Sequence, residues 1–165
     1  MCDCGSDILF LDDKNNAKTM SKRIVKIIGG GLAGCESALQ LLKRGFAVKM
    51  YEMRPTKTTG AHKGDSLAEL VCSNSLKSTE PCTASGLLKK ELDMLGCALL
   101  PIARECGVPS GSALSVDREK FSKAVEKELA KYPDFTLIRE EVTSLDEDIP
   151  TIVASGPLMP SKWAN

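Results

Sequence analysis

The sequence has 165 residues, of which 42% are apolar and 27% are charged, and its 22 basic residues balance 22 acidic ones. This length fits one domain with a tail, and the composition is that of a folded globular protein rather than a disordered or fibrous one. Zero net charge excludes a domain that binds nucleic acid through bulk positive charge, while a local basic patch stays compatible with it. No apolar run approaches the roughly 20 residues of a membrane helix, so we expect no membrane segment.

The first 19 residues differ in composition from the sequence that follows, because aspartates surround one short apolar run. We predict that residues 1–19 are a disordered or mis-assigned extension and that the folded unit begins at Met20. At the other end, residues 159–165 show no helical or strand pattern. They are predicted to be a tail, so the domain is expected to span residues 20–158.

Apolar periodicity predicts a strand, a helix and a second strand at the start of the folded unit. Residues 24–28 are almost continuously apolar, which is typical of a parallel strand covered on both faces. After three glycines, residues 32–44 have the apolar spacing of a helix that ends before Gly45. The second strand covers about residues 46–51. This order predicts a right-handed parallel β-α-β unit, and therefore an α/β fold with a Rossmann-like sheet that is incomplete in this chain.

The middle of the sequence is predicted to be a loop to about residue 84 and helical after it. Ser85 is a candidate N-cap, and Pro101 is expected to end the helix. Leucines at spacings of four, three and four residues would form its apolar face: Leu88, Leu92, Leu95 and Leu99.

The last third of the sequence predicts one more helix and the remaining strands. Residues 111–116 are a candidate short strand, and Asp117 is predicted to cap a helix whose apolar face contains Phe121, Val125 and Leu129. After a turn at residues 132–134, residues 135–138 and 151–154 are the predicted third and fourth strands.

Gly29, Gly31 and Gly34 have the G-x-G-x-x-G spacing of a dinucleotide-binding turn. The first glycine would permit the tight turn, the second would let a pyrophosphate approach, and the third would allow close helix–strand packing. The N-terminus of the following helix attracts phosphates. Glu52 lies 18 residues after Gly34, at the end of the second strand, where a carboxylate binds ribose hydroxyls. The combination favours a nucleotide site over a merely glycine-rich turn.

The residues alone leave the choice between FAD and NAD open. A carboxylate at position 52 opposes a 2′-phosphate, so NADP is disfavoured. Arg54 could instead pair with such a phosphate, but it lies two residues beyond the end of the predicted strand.

The seven cysteines form no C-x-x-C pair, and the chain has one histidine, His62. This pattern disfavours a disulfide scaffold and a zinc site. It is typical of a reducing cytoplasm, in which the cysteines are free and mostly buried.

Cys72 is a candidate nucleophile because Ser73, Asn74 and Ser75 follow it in a polar segment. Hydroxyl, amide and backbone donors can stabilise the thiolate, which is the reactive form of cysteine. The alternative is a buried structural cysteine beside a polar turn.

Several strings together resemble the bacterial folate- and FAD-dependent tRNA (uracil-5-)-methyltransferases, the TrmFO family. The most specific strings are Tyr-Glu-Met-Arg-Pro at residues 51–55 and Glu-Leu-Val-Cys-Ser-Asn-Ser-Leu at residues 69–76. The related MnmG and GidA flavoproteins share the glycine string but lack these two. Further strings extend the likeness over residues 20–158, at residues 27–36, 86–91, 113–119 and 154–158.

The resemblance implies a site for each part of FAD. The glycine loop would hold the pyrophosphate, Glu52 the adenosine ribose, and residues 154–156 would approach the flavin. Cys72 matches a family cysteine that lies near the flavin and is implicated in catalysis. The cofactor-binding set implied is Gly29, Gly30, Gly31, Leu32, Ala33, Gly34, Glu52, Arg54, Ala154, Ser155 and Gly156.

The resemblance also implies an activity. In this family methylenetetrahydrofolate supplies a one-carbon unit through the flavin, NAD(P)H reduces it, and the methyl group is added to C5 of a uracil in the tRNA T-loop. We therefore expect FAD as cofactor, methylenetetrahydrofolate and NAD(P)H as substrates, tRNA as partner and a cytoplasmic location.

Family proteins are much longer than this chain, so the resemblance predicts an N-terminal fragment that is inactive by itself. One alternative is a truncated FAD-binding module without turnover, and another is a fragment of an MnmG-like enzyme. An unrelated NAD-dependent oxidoreductase is disfavoured by the two specific strings.

Overall fold

The computed structural model describes residues 23–145 and 148–156. The predicted extension at residues 1–19 and the predicted tail at residues 159–165 lie outside the described residues. The elements in chain order are β1 (Ile24–Ile28), α1 (Leu32–Lys43), β2 (Ala47–Tyr51), β3 (Ser75–Ser78), α2 (Ala84–Met94), α3 (Leu99–Glu105), β4 (Gly107–Val108), β5 (Ala113–Val116), α4 (Arg118–Leu129), β6 (Phe135–Ile138) and β7 (Thr151–Val153).

The central sheet has four parallel strands in the order β6-β2-β1-β7. The strand order therefore reverses between β1 and β7, since β2 and β6 lie on one side of β1 and β7 lies on the other. This is the strand order of a Rossmann-like α/β fold. The predicted fold class and the four predicted parallel strands are confirmed.

The core lies between one face of this sheet and helices α1 and α4. Ile27, Val48 and Met50 point to that face and are almost completely buried, where they meet Cys35 and Leu39 of α1. Side chains alternate between the two faces of a strand. On the opposite face Ile24, Lys49 and Val153 are exposed.

A second, antiparallel sheet of order β3-β5-β4 lies in the long connection between β2 and β6. Helix α4 follows β5, and Asp117 caps it as predicted, because its side chain accepts a hydrogen bond from the N–H of Lys120. The predicted apolar face of α4 is completely buried: Phe121, Val125 and Leu129.

Helix α2 differs from its predicted form. Thr83, not Ser85, is its N-cap, since Thr83 Oγ1 accepts a 3.1 Å hydrogen bond from the N–H of Gly86. The helix ends at Met94, so the predicted leucine face is wrong. Leu88 and Leu95 are 54% and 76% exposed.

Pro101 lies inside helix α3, so the prediction that it ends a helix is also wrong. It occupies the first turn of α3, where the missing proline N–H costs no intrahelical hydrogen bond. The N-terminus of α3 is satisfied by a residue of another helix. The Glu36 carboxylate of α1 accepts hydrogen bonds from the N–H groups of Ala98 and Leu99, both at 2.9 Å.

The cysteines of the described residues are free, but not mostly buried as predicted. Cys35 and Cys106 are buried, Cys97 is half-buried, and Cys72 and Cys82 are exposed. Within the described residues, no helix has the length and apolar character of a membrane span.

Candidate nucleotide-binding site

A crevice opens at the carboxyl ends of β1 and β7, where the strand order of the sheet reverses. Open α/β sheets bind ligands at this point. The cavity has a volume of about 270 Å³. Its walls come from the loops after four parallel strands: residues 29–33 after β1, 52–54, 59, 62 and 71 after β2, 140–142 after β6, and 154–156 after β7.

Gly29 makes the turn from β1 into this crevice. Its φ of +107° is a conformation that side chains disfavour, and a Cβ there would lie 2.5 Å from the Ala154 carbonyl oxygen. A Cβ at Gly34 would collide with the Gly29 carbonyl oxygen. The turn and the close helix–strand packing predicted for the first and third glycines are therefore present.

Gly30 is held on both sides of its peptide unit. Its N–H donates a 2.8 Å hydrogen bond to Glu52 Oε2, and its carbonyl accepts one of 2.8 Å from the N–H of Ala68. A Cβ here would collide with the Leu67 side chain and lie 2.9 Å from Glu52 Oε2. The fingerprint treats this position as variable, so the need for glycine here was missed by the sequence analysis.

Gly31 and the start of α1 face the open part of the crevice. A Cβ at Gly31 would meet no atom within 4 Å, and no side chain caps the helix N-terminus that follows it. The first N–H groups of a helix have no intrahelical acceptor and carry partial positive charge. Leu32 and Ala33 line the cavity beside them. The arrangement suits an anionic group.

Glu52 lies at the end of β2 beside the glycine loop and is 6% exposed. Besides the Gly30 bond, its Oε1 accepts hydrogen bonds from the N–H of Arg54 at 3.1 Å and from Arg54 Nε at 2.9 Å. Burial by itself raises the pKa of this carboxyl, but the hydrogen bonds from Arg54 and Gly30 outweigh burial and hold the pKa below the ordinary value of a glutamate. Glu52 is therefore an anion at neutral pH.

Arg54 is part of the interior. It is 2% exposed, and its guanidinium forms ion pairs with Glu52 and Glu69. Two carboxylates already neutralise the positive charge of Arg54, so it is not available to pair with a 2′-phosphate.

The residues after β7 form the wall opposite Glu52. Ala154, Ser155 and Gly156 line the cavity, and the N–H of Ala154 donates a 2.7 Å hydrogen bond to the Ile28 carbonyl. On the outer rim Thr59 Oγ1 and His62 Nδ1 lie 2.5 Å apart. The sequence pattern did not predict His62 at this site, because its distance from the crevice depends on how the loop after β2 folds.

Cys72 is exposed and follows Val71, which lines the cavity. Its polar neighbours hydrogen-bond with backbone groups. Asn74 Nδ2 donates to the Val116 carbonyl at 3.2 Å, and Ser73 Oγ accepts from the N–H of Ser75 at 3.1 Å. The alternative of a buried structural cysteine is therefore wrong for Cys72.

Cys35 contrasts with Cys72. It is completely buried behind the glycine loop, and its thiol donates to the Gly30 carbonyl at 3.4 Å. Burial raises the pKa of Cys35 to about 12. This thiol is un-ionised and inaccessible at neutral pH.

Residues 24–160 match the family described as Glucose inhibited division protein A. Among curated relatives, the chain is 57% identical over 140 residues to "Methylenetetrahydrofolate--tRNA-(uracil-5-)-methyltransferase TrmFO" of Dictyoglomus thermophilum, covering 85% of this chain and 32% of that protein. The protein of the same name from Bacillus subtilis is 52% identical, with 84% of this chain and 32% of that protein covered. That of Lactococcus lactis subsp. lactis is 50% identical, with 88% and 32% covered. The chain spans about a third of the length of these relatives.

Solved structures give more distant likenesses. The p-nitrophenol 4-monooxygenase PnpA from Pseudomonas putida is 20% identical, with a TM-score of 0.46 over 77% of this chain and 33% of that chain. The peptidyl tryptophan dihydroxylase QhpG is 18% identical, with a TM-score of 0.48 over 85% of this chain and 34% of that chain. The family match, by contrast, covers most of the described chain. This protein belongs to the Glucose inhibited division protein A family.

Proposed function

We propose that the crevice binds the ADP portion of FAD. The observation that carries this proposal is the space at Gly31, where a Cβ would meet no atom within 4 Å beside an uncapped helix N-terminus. The backbone of residues 29–34 would hold the pyrophosphate, and the Glu52 carboxylate would accept hydrogen bonds from the adenosine ribose. Three of the roughly four lone-pair sites of the Glu52 carboxylate are used, two on Oε1 and one on Oε2, so Oε2 can accept one further hydrogen bond.

The proposed ligand carries no 2′-phosphate. Glu52 is ionised and would repel such a group, while Arg54 is already paired with two carboxylates. The site therefore suits FAD better than NADP. Residues 154–156 lie on the far wall, where the flavin half of the cofactor would extend.

We further propose that the chain is the N-terminal, FAD-binding portion of a folate-dependent tRNA (uracil-5-)-methyltransferase. The support is the name carried by the relatives at 50–57% identity, together with the two specific strings at residues 51–55 and 69–76. Methylenetetrahydrofolate and NAD(P)H would be its substrates and tRNA its partner in the cytoplasm. When bound, the flavin would carry the one-carbon unit. The exposed Cys72 would act from the rim of the crevice, next to Val71.

Binding is tested with Gly31→Val, because a Cβ there meets no protein atom within 4 Å and the branched side chain would occupy the open space. The backbone at Gly31, with φ of −74° and ψ of −170°, is extended and accepts any residue. In calorimetric titrations with ADP and with FAD, the purified Gly31→Val variant is expected to bind each ligand at least tenfold more weakly than the unchanged chain. Gly60→Val is the matched control, since Gly60 is exposed and a Cβ there also meets no atom within 4 Å. Equal affinities for Gly31→Val and the unchanged chain would contradict the proposed site.

The activity is tested with a chimaera in which residues 20–158 replace the matching part of the Bacillus subtilis relative. We expect it to restore 5-methyluridine to the tRNA of a strain lacking that enzyme. Cys72→Ala in the chimaera should abolish the modification, whereas Cys82→Ala, at another exposed cysteine, should not. A folded chimaera that binds FAD but forms no 5-methyluridine would overturn the proposed activity.

A further inference from the structure

One buried arginine joins the crevice to the segment that carries Cys72. Arg54 Nε lies 2.9 Å from Glu52 Oε1, and Arg54 Nη1 lies 2.6 Å from Glu69 Oε2. Exposure of the Arg54 side chain is 2%. A guanidinium is planar and presents its donors in fixed directions, so it sets the position of both carboxylates relative to each other.

On its inner side the arginine orders the glycine loop. Glu52 receives Arg54 Nε on one oxygen and the N–H of Gly30 on the other. The rotation of the Glu52 carboxylate is thereby fixed, and so is the distance between β2 and the loop after β1.

On its outer side the arginine orders the segment before Cys72. Glu69 Oε1 accepts a 2.9 Å hydrogen bond from the N–H of Lys63, and Arg54 Nη1 donates to the Gly64 carbonyl at 3.3 Å. Glu69 thus closes residues 63–69 into a loop. Val71, two residues later, lines the crevice, and Cys72 follows it.

The two sides can be separated by substitution because they use different carboxylates. Glu69→Gln removes the outer ion pair and leaves the Glu52–Arg54 pair and the Gly30 bond in place. Arg54→Lys removes the fork that reaches both partners, since an ammonium is a point charge without fixed donor directions.

We propose that Arg54 is a positioning residue that holds the segment carrying Cys72 in register with the nucleotide crevice by bridging Glu52 and Glu69. Binding of a nucleotide next to Glu52 then changes the position and the labelling rate of Cys72 through Arg54 and Glu69. The nucleotide part of this inference rests on the proposed function, whereas the bridge itself does not.

The test measures the rate at which iodoacetamide labels Cys72 in the full chain, by peptide mapping, with and without saturating ADP. In the unchanged chain we expect ADP to change the Cys72 rate at least threefold. In Glu69→Gln we expect the rate without ADP to rise at least threefold and the response to ADP to vanish, while the ADP affinity stays within threefold. A merely structural role for Glu69 would leave the ADP response intact.

Controls exclude general loosening of the fold. Cys82 is an exposed internal reference whose rate should not change. Asp93→Asn removes a carboxylate from an exposed arginine pair with Arg104, outside the crevice lining, and should reproduce the unchanged chain. Arg54→Lys should match the effect of Glu69→Gln on Cys72, and the double variant should add nothing further, because both act on one contact.

The outcomes separate this inference from the proposed function. If ADP does not bind the unchanged chain, the proposed function fails, and the rates without ADP still decide the bridge. Unchanged Cys72 rates in Glu69→Gln and in Arg54→Lys would overturn the inference, as would additive effects in the double variant. Should one single variant not fold, the rates of the other decide by the same criterion.

Discussion

The N–H of Gly30 donates a 2.8 Å hydrogen bond to Glu52 Oε2, although 22 residues separate the two positions. One carboxylate therefore holds the glycine loop and pairs with Arg54, and it is the group that we propose binds the ribose. A substitution of Glu52 is therefore expected to change both the stability of the fold and the binding of the proposed nucleotide.

We expect Glu52→Gln to lower the free energy of unfolding by about 3 kcal/mol, as is usual when one partner of a buried ion pair is removed. The groups around Glu52 are all donors, so the new amide NH₂ would face an N–H. Urea denaturation measures the loss. Asp93→Asn, in an exposed pair, should cost less than about 1 kcal/mol, and equal losses in the two variants would contradict the prediction.

Acid should destabilise the chain through Glu52 and Glu36. Burial raises the pKa of Glu36, but the N–H groups of Ala98 and Leu99 and the Gln40 side chain outweigh it, so the pKa of Glu36, like that of Glu52, lies below the ordinary value of a glutamate. A carboxyl with a lowered folded pKa stabilises the fold fully above the unfolded pKa and loses this contribution as the pH falls through the folded value.

We therefore expect the free energy of unfolding to be level above the ordinary pKa of a glutamate and to fall as the pH drops below it. Urea titrations at stepped pH measure this fall. In Glu36→Gln the fall should be shallower, and the stability at pH 7 should drop by about 1 kcal/mol, as for a lost helix cap. An identical pH slope in this variant would show that Glu36 does not titrate with folding.

The crevice should discriminate against a 2′-phosphate. We expect adenosine 2′,5′-bisphosphate to bind at least tenfold more weakly than AMP, which has the same 5′-phosphate and no 2′-phosphate, because Glu52 is ionised and Arg54 is neutralised by two carboxylates. Competition calorimetry gives both affinities. Equal binding would mean that Arg54 leaves its partners to meet the phosphate.

Gly29→Ala and Gly45→Ala form a matched pair. Both glycines have positive φ, +107° and +80°, but only a Cβ at Gly29 would meet protein atoms, those of Ala154 and Ser155 after β7. Gly45→Ala should cost about 1 kcal/mol of stability for backbone strain. Gly29→Ala should cost a further 1–3 kcal/mol or so for overpacking, and a similar cost for both would argue against contact with β7.

Cys72 and Cys35 should react at very different rates. Iodoacetamide at pH 7.5 is expected to label the exposed Cys72 at least a hundredfold faster than Cys35, which is buried with a pKa raised to about 12. Peptide mapping over time gives the rates, and unfolding in urea should make them similar. Comparable rates in the folded chain would mean that the α1–sheet packing opens readily.

Local sequence patterns predicted the elements whose partners are close in the chain. The strand, glycine turn and helix at residues 24–43 and the Asp117 cap are encoded within a few residues each, and all are present. The N-cap of α2 was misplaced by two residues although its partner, Gly86, is close to Thr83 in the chain, whereas the error at α3 involves a distant partner. Helix α3 begins at Leu99, where Glu36 of α1 accepts a hydrogen bond from the Leu99 N–H. The sequence around Pro101 does not indicate this helix start.

The same distinction holds in the candidate site. The positions of Gly29, Gly34 and Glu52 follow from motif spacing. The structure places Gly29 and Glu52 at the crevice, and Gly34 packs against the Gly29 carbonyl beside it. The burial of Arg54 was not predictable, because its second partner, Glu69, lies 15 residues away in a loop without periodicity. A charged residue in a loop is ordinarily a surface residue, and only the paired carboxylates make its burial favourable.

The contact of Gly29 with the chain after β7 also has a consequence for biosynthesis. Strand β7 is the last described element to leave the ribosome, yet its hydrogen bonds to β1 and the carbonyl of Ala154 form one side of the turn that begins at Gly29. A nascent chain that has reached only α4 or β6 has the glycine loop without this wall. The complete crevice therefore forms only after residues 151–156 have been synthesised, so we expect the proposed nucleotide to bind the late nascent chain or the finished chain and not the first β-α-β unit alone.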